Sequence, residues 1–340
     1  MQALLIDQPG QARLGTAIAP NAGAADVLIR IRTVGFCGSD LNTYRGLNPL
    51  VSYPRVPGHE IAAEIAFLGA DVPRGSFEVG MPVTVYPYTA CGSCAACRRG
   101  RPNACRDNQT LGVQRDGALT ELVVVPWQKV VVPEGLSLRQ LALVEPLSVG
   151  FHAVDRGRVA AEDVVVVIGC GAVGLGAVAG AHARGARVIA VDVDDAKLAL
   201  ATFTGASEVV NTPAAALRDR VYALTNGDGA DVVIEAVGRA DTFVAAVDAA
   251  AFTSRVVYIG YTKGAVAYDT SLFVKKELDI MGSRNATPGD FRAVCDMLRA
   301  GGFPADAVVT RAVSLEGASE ALEAWHRDPH LVTRIHVDVG

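Results

Sequence analysis

Eighteen consecutive residues from Val164 to Ala181, VVVVIGCGAVGLGAVAGA, carry no charge and are bounded by Asp163 and His182. Such a run either crosses a membrane or is buried in a protein core, and its length lies at the lower end of the roughly 17–25 apolar residues that a membrane helix needs. Its punctuation argues for the core. The β-branched residues Val164 to Ile168 run into Gly169, Gly171, Gly174, Gly176 and Gly180, which reads as a buried strand, a tight turn and a helix opening against that strand. Basic and aromatic membrane flanks are absent. The glycines at 169, 171 and 174, with Ala172 and Val173 between the last two, match the dinucleotide fingerprint. In that motif the first glycine makes the turn, the second lets backbone approach a pyrophosphate, and the third brings helix onto strand.

The surroundings of the motif strengthen it. Arg187–Asp192 is a second apolar run, ending in an acid 21 residues after Gly171. A carboxylate at the tip of a second strand accepts hydrogen bonds from both adenosine ribose hydroxyls and repels a 2′-phosphate, so Asp192 favours NAD over NADP. The bland alternative, a glycine-rich loop that binds nothing, requires strand, fingerprint and acid to coincide by chance. Further strand-like runs follow at 208–210, 231–235, 255–259 and 278–281, separated by helix-like stretches. They make an α/β doubly wound parallel sheet of the Rossmann type. The run 231–238 ends at Val237 and Gly238, as loops passing close to a bound cofactor do. Helices are expected over 137–157 and 289–300, and in the alanine-rich tracts 214–217 and 245–251.

A chain of 340 residues has material for two domains. Hydrophobic residues make up 50% and charged ones 20%, and the net charge of −5 provides no basic field for nucleic acid or an anionic membrane. The first eleven residues contain Asp7 and lack a long apolar core, so no secretory signal is read there and a cytoplasmic location is expected. Seven cysteines, four of them clustered, suit metal ligation better than a disulfide framework.

The cluster is Cys91, Cys94, Cys97 and Cys105. Four thiolates can close a tetrahedron around zinc with no open position, a structural site whose binding energy holds a loop too short to have a core. An iron–sulfur run would have a final spacing of three followed by proline, whereas Arg106 follows Cys105 here. A thioredoxin-like redox pair needs no third and fourth cysteine. Upstream, residues 1 to 90 read as short strands of an all-β unit. On its loops and strand ends lie GFCGSD (35–40) and PGHE (57–60), where Cys37 and His59 could supply sulfur and nitrogen to zinc while leaving a coordination position open. By spacing alone a buried thiol and an unrelated histidine explain the two as well. Glu145, just before Pro146, suits a helix boundary; a surface glutamate capping a helix is the plain reading, and a partnered acid the functional one.

Taken together these stretches resemble the zinc-dependent medium-chain dehydrogenase/reductase family, in its sorbitol and sugar-alcohol dehydrogenase branch. The resemblance rests on GFCGSD, PGHE, the four-cysteine lobe, EPLSVGFHA (145–153) and GCGAVG (169–174), and spans nearly the whole chain. It implies a GroES-like β-barrel catalytic domain over 1–150, completed by 288–340, with a Rossmann NAD-binding domain over 151–287. It makes Cys37 and His59 catalytic zinc ligands, with Glu60 or Glu145 as the third protein ligand, directly or through water. Ser39 matches the hydroxyl that touches the substrate oxygen, and Asp40 a carboxylate that holds a ligand histidine by its other nitrogen. Where many relatives carry a proton-relay histidine this chain has Asn42, so the proton leaves through water, ribose hydroxyls or another residue. Tyr44, Tyr88 and Arg115 are pocket candidates; Arg115 pairs with a sugar-acid carboxylate or is simply a solvated surface arginine.

The implied activity is hydride transfer from a secondary alcohol of a polyol, sugar or sugar acid to NAD, with one catalytic and one structural zinc per chain. A threonine-type dehydrogenase on the same scaffold is one alternative, and a non-catalytic NAD- and zinc-binding member another. The resemblance also implies a homodimer or homotetramer.

Overall fold

The structure, a computed structural model, describes residues 1–329 and 332–340. The chain forms two compact units, one of Met1–Glu145 with Ala305–Gly340 and the other of Pro146–Pro304. Residues 288–304 thus fall in the second unit, where the sequence reading placed them with the first. Among the described residues no helix is long and apolar enough to cross a membrane.

In the second unit the glycine-rich stretch divides into the strand Val164–Ile168 and the helix Ala172–Ala183. The strand is buried on both faces apart from its first residue, which explains a continuous run of β-branched residues rather than an alternating one. It sits third in a six-stranded parallel sheet ordered Glu208–Asn211, Arg187–Asp192, Val164–Ile168, Ala230–Glu235, Ala250–Tyr258, Asp279–Gly282. This is the doubly wound order. Its direction of winding reverses between Val164–Ile168 and Ala230–Glu235, the crevice where such sheets take their ligands. The helix glycines let backbones meet: a Cβ on Gly150 would lie 2.3 Å from Ala177 N, and one on Gly176 2.5 Å from Leu147 O.

In the first unit Asp26–Phe36 is central, pairing with Glu60–Leu68, Leu122–Pro126 and Ile335–Asp338. It begins with alternating burial and ends fully enclosed over Val34–Phe36. There Gly35 faces Glu60 on one side and His336 on the other. Two distant segments thereby converge on the end of the strand that delivers Cys37. Ile29, Ile31, Ile61, Ile65 and Ile335 pack in the core beneath.

Three local readings are corrected. GFCGSD does not lie wholly on a loop, because Gly38–Tyr44 is a short helix capped at its start by Cys37. Glu145 and Pro146 lie inside the helix Leu138–Arg156 rather than at its boundary; the proline removes one backbone donor without ending the helix. Ala250 and Ala251 belong to a strand, since the preceding helix stops at Ala249. The helix Ala318–Arg327 in the tail was not anticipated.

Candidate metal centres and dinucleotide loop

Cys37, His59 and Glu60 each offer a donor atom, and these atoms lie within 4.8 Å of one another. Strand pairing explains the convergence. Cys37 follows the end of one strand, Glu60 opens its neighbour, and a glycine at 35 leaves the space that Glu60 fills, because a Cβ there would lie 2.1 Å from Glu60 Oε2. Glu60 is fully enclosed. Burial raises its carboxyl to about 7 against the pull of Arg334, whose Nη1 donates to Oε1 at 2.7 Å and Oε2 at 2.9 Å. The same nitrogen donates to Phe36 O at 2.6 Å. Arg334 was not singled out from the sequence. Its partner lies 274 residues away, and a lone arginine before a strand gives no local signal.

Glu145 is 4% exposed and accepts a hydrogen bond from the Tyr88 hydroxyl. The plain reading of a surface glutamate capping a helix is therefore overturned. Asp40 is also fully buried, but its carboxylate accepts from the backbone N–H of Cys37 at 2.8 Å and of Gly58 at 3.3 Å. The expectation that Asp40 holds His59 by its second nitrogen is thus corrected, because His59 Nδ1 is buried without a hydrogen-bond partner. Asp40 fixes the two backbone segments that carry the donors instead. Tyr44 leaves the site as well, five residues past Ser39 and so about 140° around the helix. It packs edge-on against His326 and lines a separate cleft with Asp7, Arg13 and Glu323.

The residues present fit a cation. Burial disfavours charge on His59, yet hydrogen bonding and charge from Cys37, with Asp40 and Glu145, hold its pKa well above the usual value. Cys37, Asp40, Glu60 and Glu145 surround this point, and Arg334 is bonded to Glu60. The Ser39 hydroxyl is a buried polar atom without a partner, and such atoms are rare unless a ligand or ion completes them.

The four-cysteine lobe fits a metal more closely still. Sγ separations are 3.5 Å for Cys94–Cys97, 3.8 Å for Cys94–Cys105 and 3.5 Å for Cys91–Cys105. A tetrahedron with zinc–sulfur bonds of about 2.3 Å has edges of about 3.8 Å. Backbone N–H groups of Cys97 and Arg106 pull the Cys94 thiol down to about 6, while burial pushes that of Cys97 up to about 12.

In the second unit the fingerprint glycines meet three different demands. Gly169 has φ +95° and lies against Val237, whose Cγ2 would be 2.6 Å from an added Cβ. Nothing stands within 4 Å of a Cβ on Gly171. Gly171 opens the helix Ala172–Ala183 without a side-chain cap, leaving its first N–H groups for an anion. A Cβ on Gly174 would lie 1.8 Å from Gly169 O, so only glycine permits that approach. Asp192 accepts from Cys170 N at 2.7 Å, Val193 N at 2.8 Å and Asp194 N at 3.1 Å, which holds its carboxylate beside the glycine loop. Glu235 Oε1 accepts from Val237 N and Gly238 N at 2.9 and 2.7 Å, fixing the neighbouring turn. These residues fit a dinucleotide.

Comparison with known proteins agrees with this geometry. Residues 23–134 match the alcohol dehydrogenase GroES-like domain, and 172–300 the zinc-binding dehydrogenase model. L-galactonate-5-dehydrogenase of Escherichia coli K12 is 34% identical over 95% of this chain and 94% of its own length. Sorbitol dehydrogenase of Bacillus subtilis 168 is 32% identical, over 95% and 93%. An alcohol dehydrogenase from E. coli CFT073, rspB, complexed with NADH, superposes with a TM-score of 0.89 at 28% identity, covering 100% of this chain and 99% of that one. The chain belongs to the zinc-dependent medium-chain dehydrogenase/reductase family. Within it the chain falls in the sugar-alcohol dehydrogenase branch, with the GroES-like and Rossmann folds of that family, and it is an enzyme acting on alcohol groups.

Proposed function

We propose that the chain oxidises a secondary hydroxyl of a polyol, sugar or sugar acid at the Cys37–His59 centre, with NAD as hydride acceptor. The observation that carries this reading is the convergence of Cys37, His59 and Glu60 within 4.8 Å beside the buried, unpartnered Ser39 hydroxyl. A zinc held there supplies Lewis acidity toward a substrate hydroxyl, and a bound NAD supplies the hydride acceptor.

The chain's own residues divide the remaining tasks. Cys37, His59 and Glu60 form the donor set. Arg334 offsets the Glu60 charge while leaving lone pairs on both oxygens. Glu145, held by Tyr88, stands ready to act through a water. Ser39 Oγ receives the hydroxyl proton and passes it outward, and Asn42, which is half-buried, carries no ring nitrogen to continue the relay. Cys91, Cys94, Cys97 and Cys105 hold a second, structural zinc. Gly171, Ala172 and Val173 cradle the pyrophosphate. Asp192 receives the ribose hydroxyls, and Val237 and Gly238 flank the nicotinamide half.

An initial-rate screen following NADH formation tests this with galactitol, sorbitol, L-galactonate and L-threonine. Turnover of the polyols or the aldonate is expected. Oxidation of L-threonine alone would establish the amino-alcohol alternative, and no turnover of any would favour a binding protein. Asp192→Ala is expected to lower the ratio of NAD to NADP efficiency by about 10-fold or more, the loss of charge-assisted hydrogen bonds worth roughly 1.5–3 kcal/mol. An unchanged ratio would remove Asp192 from this role.

A further inference from the structure

Arg115 and Lys129, both in the first unit, have no carboxylate partner among the described residues. Arg115 is half-buried, and its Nε is enclosed without a hydrogen-bond partner. Burial lowers the pKa of its guanidinium, with no acid acting against it. Lys129, also half-buried, donates to Tyr88 O at 2.7 Å and stands 4.7 Å from the centre of the Tyr86 ring. Burial and then the charge of Arg115 pull its ammonium below the usual range. The other buried arginines of this unit are answered, Arg55 by Asp116 at 2.9 Å and Arg334 by Glu60 at 2.7 Å. Among the described residues neither Arg115 nor Lys129 forms an ion pair.

Both cations hang from backbone that abuts the donor set. The loop carrying Arg115 packs on Pro57–Gly58, directly before His59. Ala118 N donates to Gly58 O at 2.9 Å and Leu119 N to Pro57 O at 3.0 Å. Glycines at 112 and 117 allow the approach, because added Cβ atoms would lie 2.5 Å from Gly58 N and 2.4 Å from Gly58 O. Lys129 binds the carbonyl of Tyr88, whose hydroxyl is on Glu145, and the Tyr86 and Tyr88 rings meet edge-on at 5.0 Å. Two like charges, partly desolvated and close enough to act on each other, are unfavourable unless an anion completes them.

We propose that Arg115 and Lys129 form a subsite for the anionic terminus, a carboxylate or a phosphate ester, of the open-chain polyol whose hydroxyl is oxidised at the Cys37–His59 centre. This rests on the proposed function. The guanidinium fork suits either anion in a two-pronged contact, and the ammonium adds a point charge. Asp40, Glu60 and Glu145 repel an anion from the donor set itself. The substrate is therefore oriented with its acidic end on Arg115 and Lys129 and a hydroxyl remote from that end at the metal centre. The enzyme prefers an acidic substrate over the neutral polyol of the same carbon skeleton.

The test compares wild type, Arg115→Gln, Arg115→Lys and Lys129→Gln on L-galactonate, galactitol 1-phosphate and galactitol. Wild type is expected to prefer one of the two anions, and which one identifies the terminus as carboxylate or phosphate. Arg115→Gln is expected to lower kcat/KM for that anion on the order of 10- to 100-fold more than for galactitol, mainly through KM. Arg115→Lys should recover part of the loss, and raised salt should erode the preference in wild type. Equal losses on all three substrates, or no preference in wild type, would overturn the subsite. Should wild type oxidise none of them and sorbitol not either, the proposed function fails. Calorimetric titration with L-galactonate and galactitol 1-phosphate then still reads the subsite, since binding weakened by Arg115→Gln supports it and unchanged or absent binding refutes it.

Discussion

Replacing Cys37 by serine is expected to lower kcat/KM by about 10³-fold or more, since a Lewis acid at the reacting oxygen contributes several kcal/mol and each 1.4 kcal/mol or so is tenfold in rate. The fold should survive. Cys37 is half-buried at a helix start, and the contacts holding that segment run through Asp40 to the backbone N–H groups of Cys37 and Gly58, which serine leaves intact. A large loss of rate with the fold retained therefore separates a ligand from a buried thiol. The alternative, in which Cys37 is a space-filling thiol near an unrelated histidine, expects near-wild-type turnover from so small a change. His59→Gln should behave in the same way.

The second large effect concerns the lobe. Cys97→Ser is expected to release one zinc and unfold residues 91–105 locally, because structural zinc in such sites contributes an apparent ~10–16 kcal/mol of binding free energy that is folding free energy for the segment. Little else holds it. Cys94, Asn103 and Cys105 are its buried residues, and its regular elements are the short helices Ala95–Arg98 and Pro102–Ala104. The exposed Arg98 and Arg99 supply a readout. Trypsin should nick the variant at these arginines at least about 100-fold faster than wild type, while the sheet of the first unit stays intact. Equal cleavage rates and an unchanged metal content would show that the four thiols hold nothing.

Much of this was legible in the chain because the signals are local. The glycine spacing at 169–174 announces a turn and a helix start, with Gly174 packed on Gly169 O, and Asp192 stands at the tip of the strand that runs beside it. The four cysteines identify themselves by spacing. The catalytic centre is less legible, since its parts are joined by strand pairing across the chain. Nothing near Arg334 indicates that it bonds Glu60, and nothing near Glu145 indicates that Tyr88 reaches it. Asp40 shows the converse limit. Its residue type and position suggested a carboxylate behind a histidine, but the short helix starting at Gly38 turns it onto backbone N–H groups. Pro146 misled for a related reason, since the helix Leu138–Arg156 absorbs it in mid-course rather than stopping there.

The measurement that tests the account most directly is the metal content of the purified protein. Two zinc ions per chain are expected in wild type, one in Cys37→Ser with turnover lost, and one in Cys97→Ser with the lobe unfolded. A single zinc in wild type that Cys37→Ser leaves in place would contradict the account, because Cys37, His59 and Glu60 would then be a cluster of donors that holds no metal.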